Sequence, residues 1–485
     1  MNLSDYQNDK VLKRTIVNMK PILIALVLFC STNLLAQTDS LLLTYEQYLQ
    51  QIYQNHPIAK QINIQRDVAA EYLKKARGGF DPKVGADWNF KSFDKKNYYN
   101  ILNAYLKVPV WSDISIEAGY NYTDGTYLNP ENNLPQAGQA YIGVNVPLLK
   151  GLWTSERRTT LQQSKLLLGA SEVEIQALLN DLLYKAGKTY WDWVKVYNEL
   201  LVVEGSLEAA KTQFEATKSS FIQGDKPAVD TLKSFIQIQE RSVLLGNKLI
   251  EVQNAARLVS SYLWSEEEKP LLLQEGMYPV GLQQLAMQPL EQDLLENSLN
   301  QLQDHPNILM YDFELKNLDL ERKLKANNLM PKLDLKYNFL STEQVNFFPN
   351  AATPVENYKL GVKFTMPIFI RKERADLELV KLKIRATSYK QDAKRRDLQI
   401  KVENYFNEVQ NFALQTTGIE EMVANYATLL EVERVKFSIG ESSIFMVNTR
   451  ENQLLDAQMK LIKQQITYLK SRTAFFWITA NLEPN

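Results

Sequence analysis

The sequence predicts a mostly helical protein that also supplies strands to a transmembrane β-barrel, with long antiparallel helical hairpins and two structural repeats. Three observations predict this. The chain opens like a secretory precursor, its two halves share a duplicated set of motifs, and each half alternates between a helical period and a period of two.

The first 36 residues read as a signal peptide. Lys10, Lys13, Arg14 and Lys20 form a basic region, Ile22 to Cys30 is an apolar run too short to span a bilayer, and Ala36 offers a small residue for cleavage. Met19 could open a compact signal by itself. Cys30 follows Leu28-Phe29 rather than small residues, which argues against a lipoprotein signal. Cleavage after Ala36 would remove four basic and two acidic residues from a chain of formal net charge −1. No later segment resembles a transmembrane helix, so any membrane entry must use a closed barrel, in which no backbone group is left unpaired in lipid.

The duplication sets the domain organisation. Asn55-His56-Pro57 recurs as Asp304-His305-Pro306, Pro82-Lys83-Val84 as Pro331-Lys332-Leu333, and Trp88-Asn89-Phe90 as Tyr337-Asn338-Phe339, all at an offset of 249. Farther on, Phe221-Ile222-Gln223-Gly224-Asp225 pairs with Phe437-Ser438-Ile439-Gly440-Glu441 at an offset of 216, so the second copy lacks 33 residues after the first strand. The expected division is a first repeat at 37–264, with a strand block at 83–148 and a helical hairpin at 153–264. A linker follows at 265–290. The second repeat spans 291–485, with a strand block at 332–367 and a hairpin at 372–481.

In the hairpins, apolar residues step by four and three. Leu179, Leu183, Ala186, Tyr190, Trp193, Tyr197 and Leu200 do so in the first copy, and Leu398, Val402, Tyr405, Val409 and Phe412 in the second. That is coiled-coil spacing. A helix of about 70 residues reaches about 100 Å at 1.5 Å per residue, more than a globular core needs. Gly224 and Gly440 mark the reversals. The aromatic stripe Tyr190, Trp193, Tyr197 reads as interhelical packing.

In the strand blocks, apolar and polar residues alternate. Val84, Ala86, Trp88 and Phe90 begin one strand; Leu102 to Val108, Ile114 to Tyr122, Ile142 to Val146, Leu333 to Phe339 and Leu360 to Met366 supply five more. Strands near ten residues, apolar on one side and tyrosine-rich at their ends, suit an outer-membrane barrel. Trp88 and Tyr337 are expected on the lipid side, and Asp87 and Lys336 in the lumen. Pro82, Pro147, Pro331 and Pro367 mark the changes of period. Polar loops at 123–139 and 343–357 would face outside the cell.

This order resembles the TolC family of outer-membrane efflux proteins over the mature chain. The resemblance rests on the two Asn/Asp-His-Pro helix starts, Phe80-Asp81-Pro82, Pro147-Leu148-Leu149-Lys150-Gly151, and the two Phe-x-x-Gly-acidic turns. It implies a homotrimer in the outer membrane, with most of its helical mass forming a periplasmic α-barrel. It implies the channel subunit of a tripartite efflux or type I secretion system. Phe221, Gly224, Asp225, Phe437, Gly440 and Glu441 would then form the tips that dock a periplasmic adaptor and, through it, an inner-membrane pump. Family members commonly give two strands per repeat, so four strands in the first block imply either a wider barrel or an extra hairpin placed elsewhere. The family's acidic gate lies beyond the second tip glycine. Here those positions hold Met446 and Thr449, while the first copy keeps Asp230, so the implied gate has lost part of its acidic ring.

Other functions are excluded or outweighed. A net charge of −1 gives no basic field for nucleic acid. One cysteine and two histidines leave no disulfide framework or evident metal set, so no cofactor is expected. No nucleophile elbow or phosphate loop appears, which argues against an enzyme. His56 and His305 read as structural residues at helix starts, with Asn55 and Asp304 as the N-caps. A structural or adhesive coiled-coil envelope protein would explain the helices but not the strands, and a passive porin would not need the hairpins.

Overall fold

The computed structural model describes residues 42–274, 276–341 and 357–482. The expected signal segment at 1–36 and nearly all of the 343–357 loop lie outside the described residues. Among the described residues, eight α-helices and a six-stranded sheet are ordered as two copies of one plan. The first copy runs α1 (Tyr45–Asn55), α2 (Pro57–Arg77), β1 (Lys83–Phe93), β2 (Lys96–Trp111), β3 (Ile114–Asp124), β4 (Gln139–Pro147), α3 (Glu156–Ile222) and α4 (Ala228–Ser260). The second runs α5 (Gln292–Asn300), α6 (Pro306–Asn327), β5 (Lys332–Leu340), β6 (Tyr358–Thr365), α7 (Arg371–Ser438) and α8 (Ile444–Ile478).

Helices α3 and α7 have 67 and 68 residues, so each is about 100 Å long. Each returns through its partner, α3 along α4 and α7 along α8. Local chemistry sets the ends. The Ser155 hydroxyl accepts the Arg158 N–H, which starts α3 later than the expected residue 153. Ser443 caps α8 in the same way through Met446 N–H. Helix α8 stops before the expected 481 because Ala480 adopts φ 57°, and the Asn481 N–H turns back to Phe476 O at 2.9 Å.

The expectation that Asn55 and Asp304 cap α2 and α6 is wrong: the histidines are the caps. Proline at the first helical position holds the residue before it extended, and His56 and His305 have φ/ψ of −66°/131° and −63°/131°. Their Nδ1 atoms accept the N–H groups of Ile58 and Asn307, each at 3.1 Å. Asn55 instead ends α1, and Asp304 ends a 3₁₀ turn.

The main core lies midway along the hairpins, where α1, α3 and α8 meet. Tyr190 and Trp193 are buried there with Tyr48, Leu183 and Tyr468. Tyr45 stacks on Trp191 at 4.5 Å, the Tyr190 hydroxyl donates to Leu43 O at 2.7 Å, and Trp191 Nε1 donates to Thr473 Oγ1 at 2.9 Å. Tyr190 and Trp191 thus keep a partner for the polar atom that each carries inward, whereas the Tyr45 and Tyr48 hydroxyls are buried without one. Part of the segment joining the copies lies against this core. Tyr278 stacks on Tyr197, Val280 N–H reaches Tyr190 Oη at 3.3 Å, and Leu42–Leu43 pairs in parallel with Tyr278–Pro279.

All six strands pair antiparallel in chain order, and β4–β5 joins the copies. The extra hairpin of the first copy therefore belongs to the same sheet. Its β2–β3 turn is fastened to the start of α3. Ser112, at φ 47°, donates from Oγ to Gly151 O at 2.7 Å, Arg157 meets Asp113 at 3.2 Å, and the Arg158 guanidinium lies 4.2 Å from the Trp111 ring centre.

Candidate functional site

Register sorts the strand residues onto two faces. Val84 pairs with Leu106, Leu106 with Ala118, Ala118 with Ile142, Ile142 with Phe339, and Phe339 with Tyr358. Adjacent rows on this face add Ala86, Trp88, Ala104, Val108, Ile116, Tyr120, Val144, Leu335, Tyr337 and Val362. No charged residue enters the face between those rows. It is uncovered in the protomer: Val84 is 84% exposed and Trp88 71%. Strands of about nine residues at 3.4 Å per residue, tilted by about 40°, give a band about 24 Å tall, the height of a barrel's lipid-facing belt.

The opposite face is polar. Asp87, Asn89, Asn103, Glu117, Asn121, Asn145, Lys336 and Lys363 lie on it. Glu117 accepts from Lys336 Nζ and from the Tyr141 hydroxyl, each at 2.9 Å. The Tyr105 ring covers Gly85 and the Tyr141 ring covers Gly119, where a Cβ would come within 2.6 Å of ring atoms. Asn338 is buried, its Oδ1 lying over Gly143. These interlocks need side-chain contacts across strands, so alternation alone did not reveal them.

At the other end of the hairpins the two tips have one geometry. Asp225 N–H reaches Ser220 O at 2.9 Å and Gly224 N–H reaches Phe221 O at 3.0 Å; Glu441 N–H reaches Lys436 O at 2.9 Å and Gly440 N–H reaches Phe437 O at 3.2 Å. Both are Schellman closures, with the glycine left-handed at φ 87° and 82°. Nothing lies within 4 Å of a Cβ built on either glycine, so backbone conformation, rather than space, is what favours glycine there. Phe221, Asp225 and Glu441 are exposed and Phe437 is half-buried. The Lys226 ammonium bridges the tips: it donates to Phe437 O at 3.3 Å and lies 4.2 Å from that ring's centre.

The implied gate residues separate. Met446 and Thr449 are half-buried at the start of α8, and the Thr449 hydroxyl is turned onto Phe445 O. Asp230 is only 9% exposed and meets Lys233 at 3.4 Å. It shares a helix face with Ser234, Gln237 and Arg241, and Gln237 and Arg241 both donate to Asn452 Oδ1 of α8. Arg434 meets Glu451 at 2.9 Å and Arg450 meets Glu433 at 3.7 Å nearby. The sequence reading missed this polar seam between hairpins. Its signal was the i, i+4, i+7, i+11 spacing of Asp230, Ser234, Gln237 and Arg241, but their partner Asn452 on α8 is too far away in sequence to suggest the contact.

Among the described residues no helix is long and apolar enough to cross a membrane, and no group of three or more His, Cys, Asp or Glu could hold a metal.

Residues 299–478, which run from the end of α5 through α6, β5, β6 and α7 to the end of α8, match the family profile described as outer membrane efflux protein. The second copy is thus similar to the outer membrane efflux protein family. Solved structures with the same fold include the MtrE outer membrane channel of Neisseria gonorrhoeae in its open state. That match has 12% identity and a TM-score of 0.64, over 91% of this chain and 90% of that one. A membrane protein from Pseudomonas aeruginosa matches at 12% identity and TM-score 0.64, over 90% and 92% of the two chains. The CmeC outer membrane channel of Campylobacter jejuni matches at 14% and 0.59, over 91% and 86%. A search of curated protein sequences finds no match. The efflux-protein profile lies within the second copy, while the structural likeness spans both.

Proposed function

We propose that this chain is an outer membrane efflux protein, the channel subunit of a tripartite efflux or secretion system, working as a homotrimer in the outer membrane. The observation that carries this reading is a single six-stranded sheet with one largely apolar face and one polar face, set above hairpins of about 100 Å. Strands β1 and β6 are its edges. An open edge in lipid leaves backbone donors and acceptors unpaired, at several kcal/mol each, so the sheet must close. Six is an even number, so β6 of one copy can run antiparallel to β1 of the next. Three copies then make an 18-stranded barrel, a size that leaves an aqueous lumen. The apolar face meets lipid and the polar face lines the lumen.

The hairpins form the periplasmic tunnel, and 265–290 forms the belt that separates the repeats. Phe221, Gly224, Asp225, Phe437, Gly440 and Glu441 dock the adaptor, through which an inner-membrane pump is engaged. Asp230 works as a tie within the protomer, beside the Gln237–Arg241–Asn452 seam, while Met446 and Thr449 lie nearest the constriction. Asp230, Gln237 and Arg241 are buried, so parting this seam costs more than the ~1 kcal/mol or less of an exposed tie, and docking must supply that energy.

The test is direct. The full-length protein should fractionate with the outer membrane, run as a heat-sensitive trimer on gels, and open discrete channels in planar bilayers. A monomer that inserts no channel would defeat the reading.

A further inference from the structure

The polar face of the sheet carries a marked charge imbalance. Between the β1–β2 bulge and the helix-side ends it presents seven lysines, Lys83, Lys91, Lys107, Lys332, Lys336, Lys359 and Lys363, against three carboxylates, Asp87, Glu117 and Asp334. The whole chain, by contrast, has a net charge of −1, so the excess is local. Two of the carboxylates are already engaged by lysines: Glu117 with Lys336 at 2.9 Å and Asp334 with Lys332 at 3.3 Å. Among the described residues, Lys83, Lys107, Lys359 and Lys363 have no carboxylate within ion-pair distance. Lys83 pairs directly with Lys107, although like charges placed opposite each other destabilise a sheet. That arrangement is tolerable where both ammonium groups point into water, and a wide lumen supplies it.

We propose that the barrel lumen is anion-selective and that the cargo class it favours is small anionic solutes such as carboxylates, phosphates and sulfonates. The proposal rests on the channel reading above, with the polar face inside. Three copies triple the excess of four positive charges, within a wall whose low dielectric focuses the field. Rings of lysine select anions in pores for this reason. The pairing row Lys83–Lys107–Glu117–Gly143–Asn338–Lys359 runs from edge to edge of the sheet, so lysine occupies both ends of it. Closure of the barrel brings β1 and β6 of adjacent copies together, so the unpaired lysines gather at each seam.

The experiment is the reversal potential of the full-length trimer in a planar bilayer under a potassium chloride gradient. Chloride should permeate several-fold better than potassium at about 0.1 M salt, falling toward equality at about 1 M as screening shortens the Debye length to about 3 Å. The quadruple variant Lys83→Gln, Lys107→Gln, Lys359→Gln, Lys363→Gln should lose the preference at about 0.1 M salt, with its conductance unchanged only at about 1 M, where the charges are screened. Should that variant fail to assemble, the salt dependence of the unmodified protein decides alone. A conducting channel that prefers potassium, or prefers neither ion at low salt, overturns the inference and leaves the channel reading standing. A trimer that opens no channel overturns the channel reading and this inference with it.

Discussion

His305 makes the stability of the hairpin base depend on pH in a calculable way. The residue is 7% exposed, its Nδ1 accepts the Asn307 N–H, and its Nε2 lies 3.0 Å from Ile478 O. Those contacts fit the neutral ring protonated at Nε2, which donates to the end of α8 while capping α6. Burial, with the nearby Lys394 charge adding to it, pulls the imidazole from 6.5 to about 4, against the opposing pull of the Ile478 carbonyl. Above pH 6.5 both folded and unfolded chains hold a neutral ring, and the full stability is present. As pH falls from 6.5 toward 4 only the unfolded chain gains a proton, so stability is lost across that window and levels off below it. At 1.36 kcal/mol per tenfold change in affinity, the loss approaches about 3 kcal/mol per protomer. His305→Asn keeps a capping side chain and removes the titration. It should be destabilised by about 1 kcal/mol at neutral pH, from the lost Ile478 bond, and more stable than the unmodified protein near pH 4. Denaturant unfolding of the detergent-solubilised protein, followed by circular dichroism across that range, would show two curves that cross. Curves that stay parallel would refute the reasoning.

Other consequences are equally open to measurement. Val84→Arg or Leu335→Arg should cost about 2–4 kcal/mol per protomer and reduce the heat-sensitive trimer band, while Asn89→Arg should not; equal tolerance would show that the apolar face does not meet lipid, and the opposite order that the faces are reversed. Asn338→Arg should also impair assembly, because Asn338 is packed over Gly143 despite lying on the polar face. Gly440→Val should strain the left-handed tip by about 1–2 kcal/mol, and Lys226→Ala should release the tip-to-tip bridge; each should raise resting conductance in bilayers. Met446→Asp should shift selectivity toward cations and add block by divalent ions if these side chains ring the constriction, and unchanged currents would remove it from the gate. A cysteine at Asn132 should react with an impermeant reagent on intact cells, and labelling only after lysis would invert the topology.

Much of this architecture was legible because its periods are long and pure. Alternation over six short segments specified six strands and both faces, since a one-residue slip would have moved Val84, Leu102 and Leu335 to the polar side. The hairpin reversals were visible in the repeated glycines. The helix caps were misassigned because Asn55 and Asp304 are the better capping residue types, whereas Pro57 and Pro306 make the residue immediately before them the cap. What stayed hidden depends on partners distant in sequence. The Lys226–Phe437 bridge, the Arg241–Asn452 seam and the burial of Asp230 all arise where the two repeats meet, and no local period records such meetings.

The six-stranded sheet also has a consequence for the circumference of the proposed barrel. At a strand spacing of about 4.8 Å and a tilt of about 40°, six strands cover about 38 Å of wall. Four helices, α2, α3, α6 and α7, meet the sheet in each protomer, and at 8–10 Å between axes they cover about 32–40 Å. A sheet of four strands would cover only about 25 Å and would have to taper inward from the helices. With the extra hairpin the two materials have the same girth, so the conduit of the proposed trimer would pass from helix to strand without a throat, leaving its narrowest point to the tips.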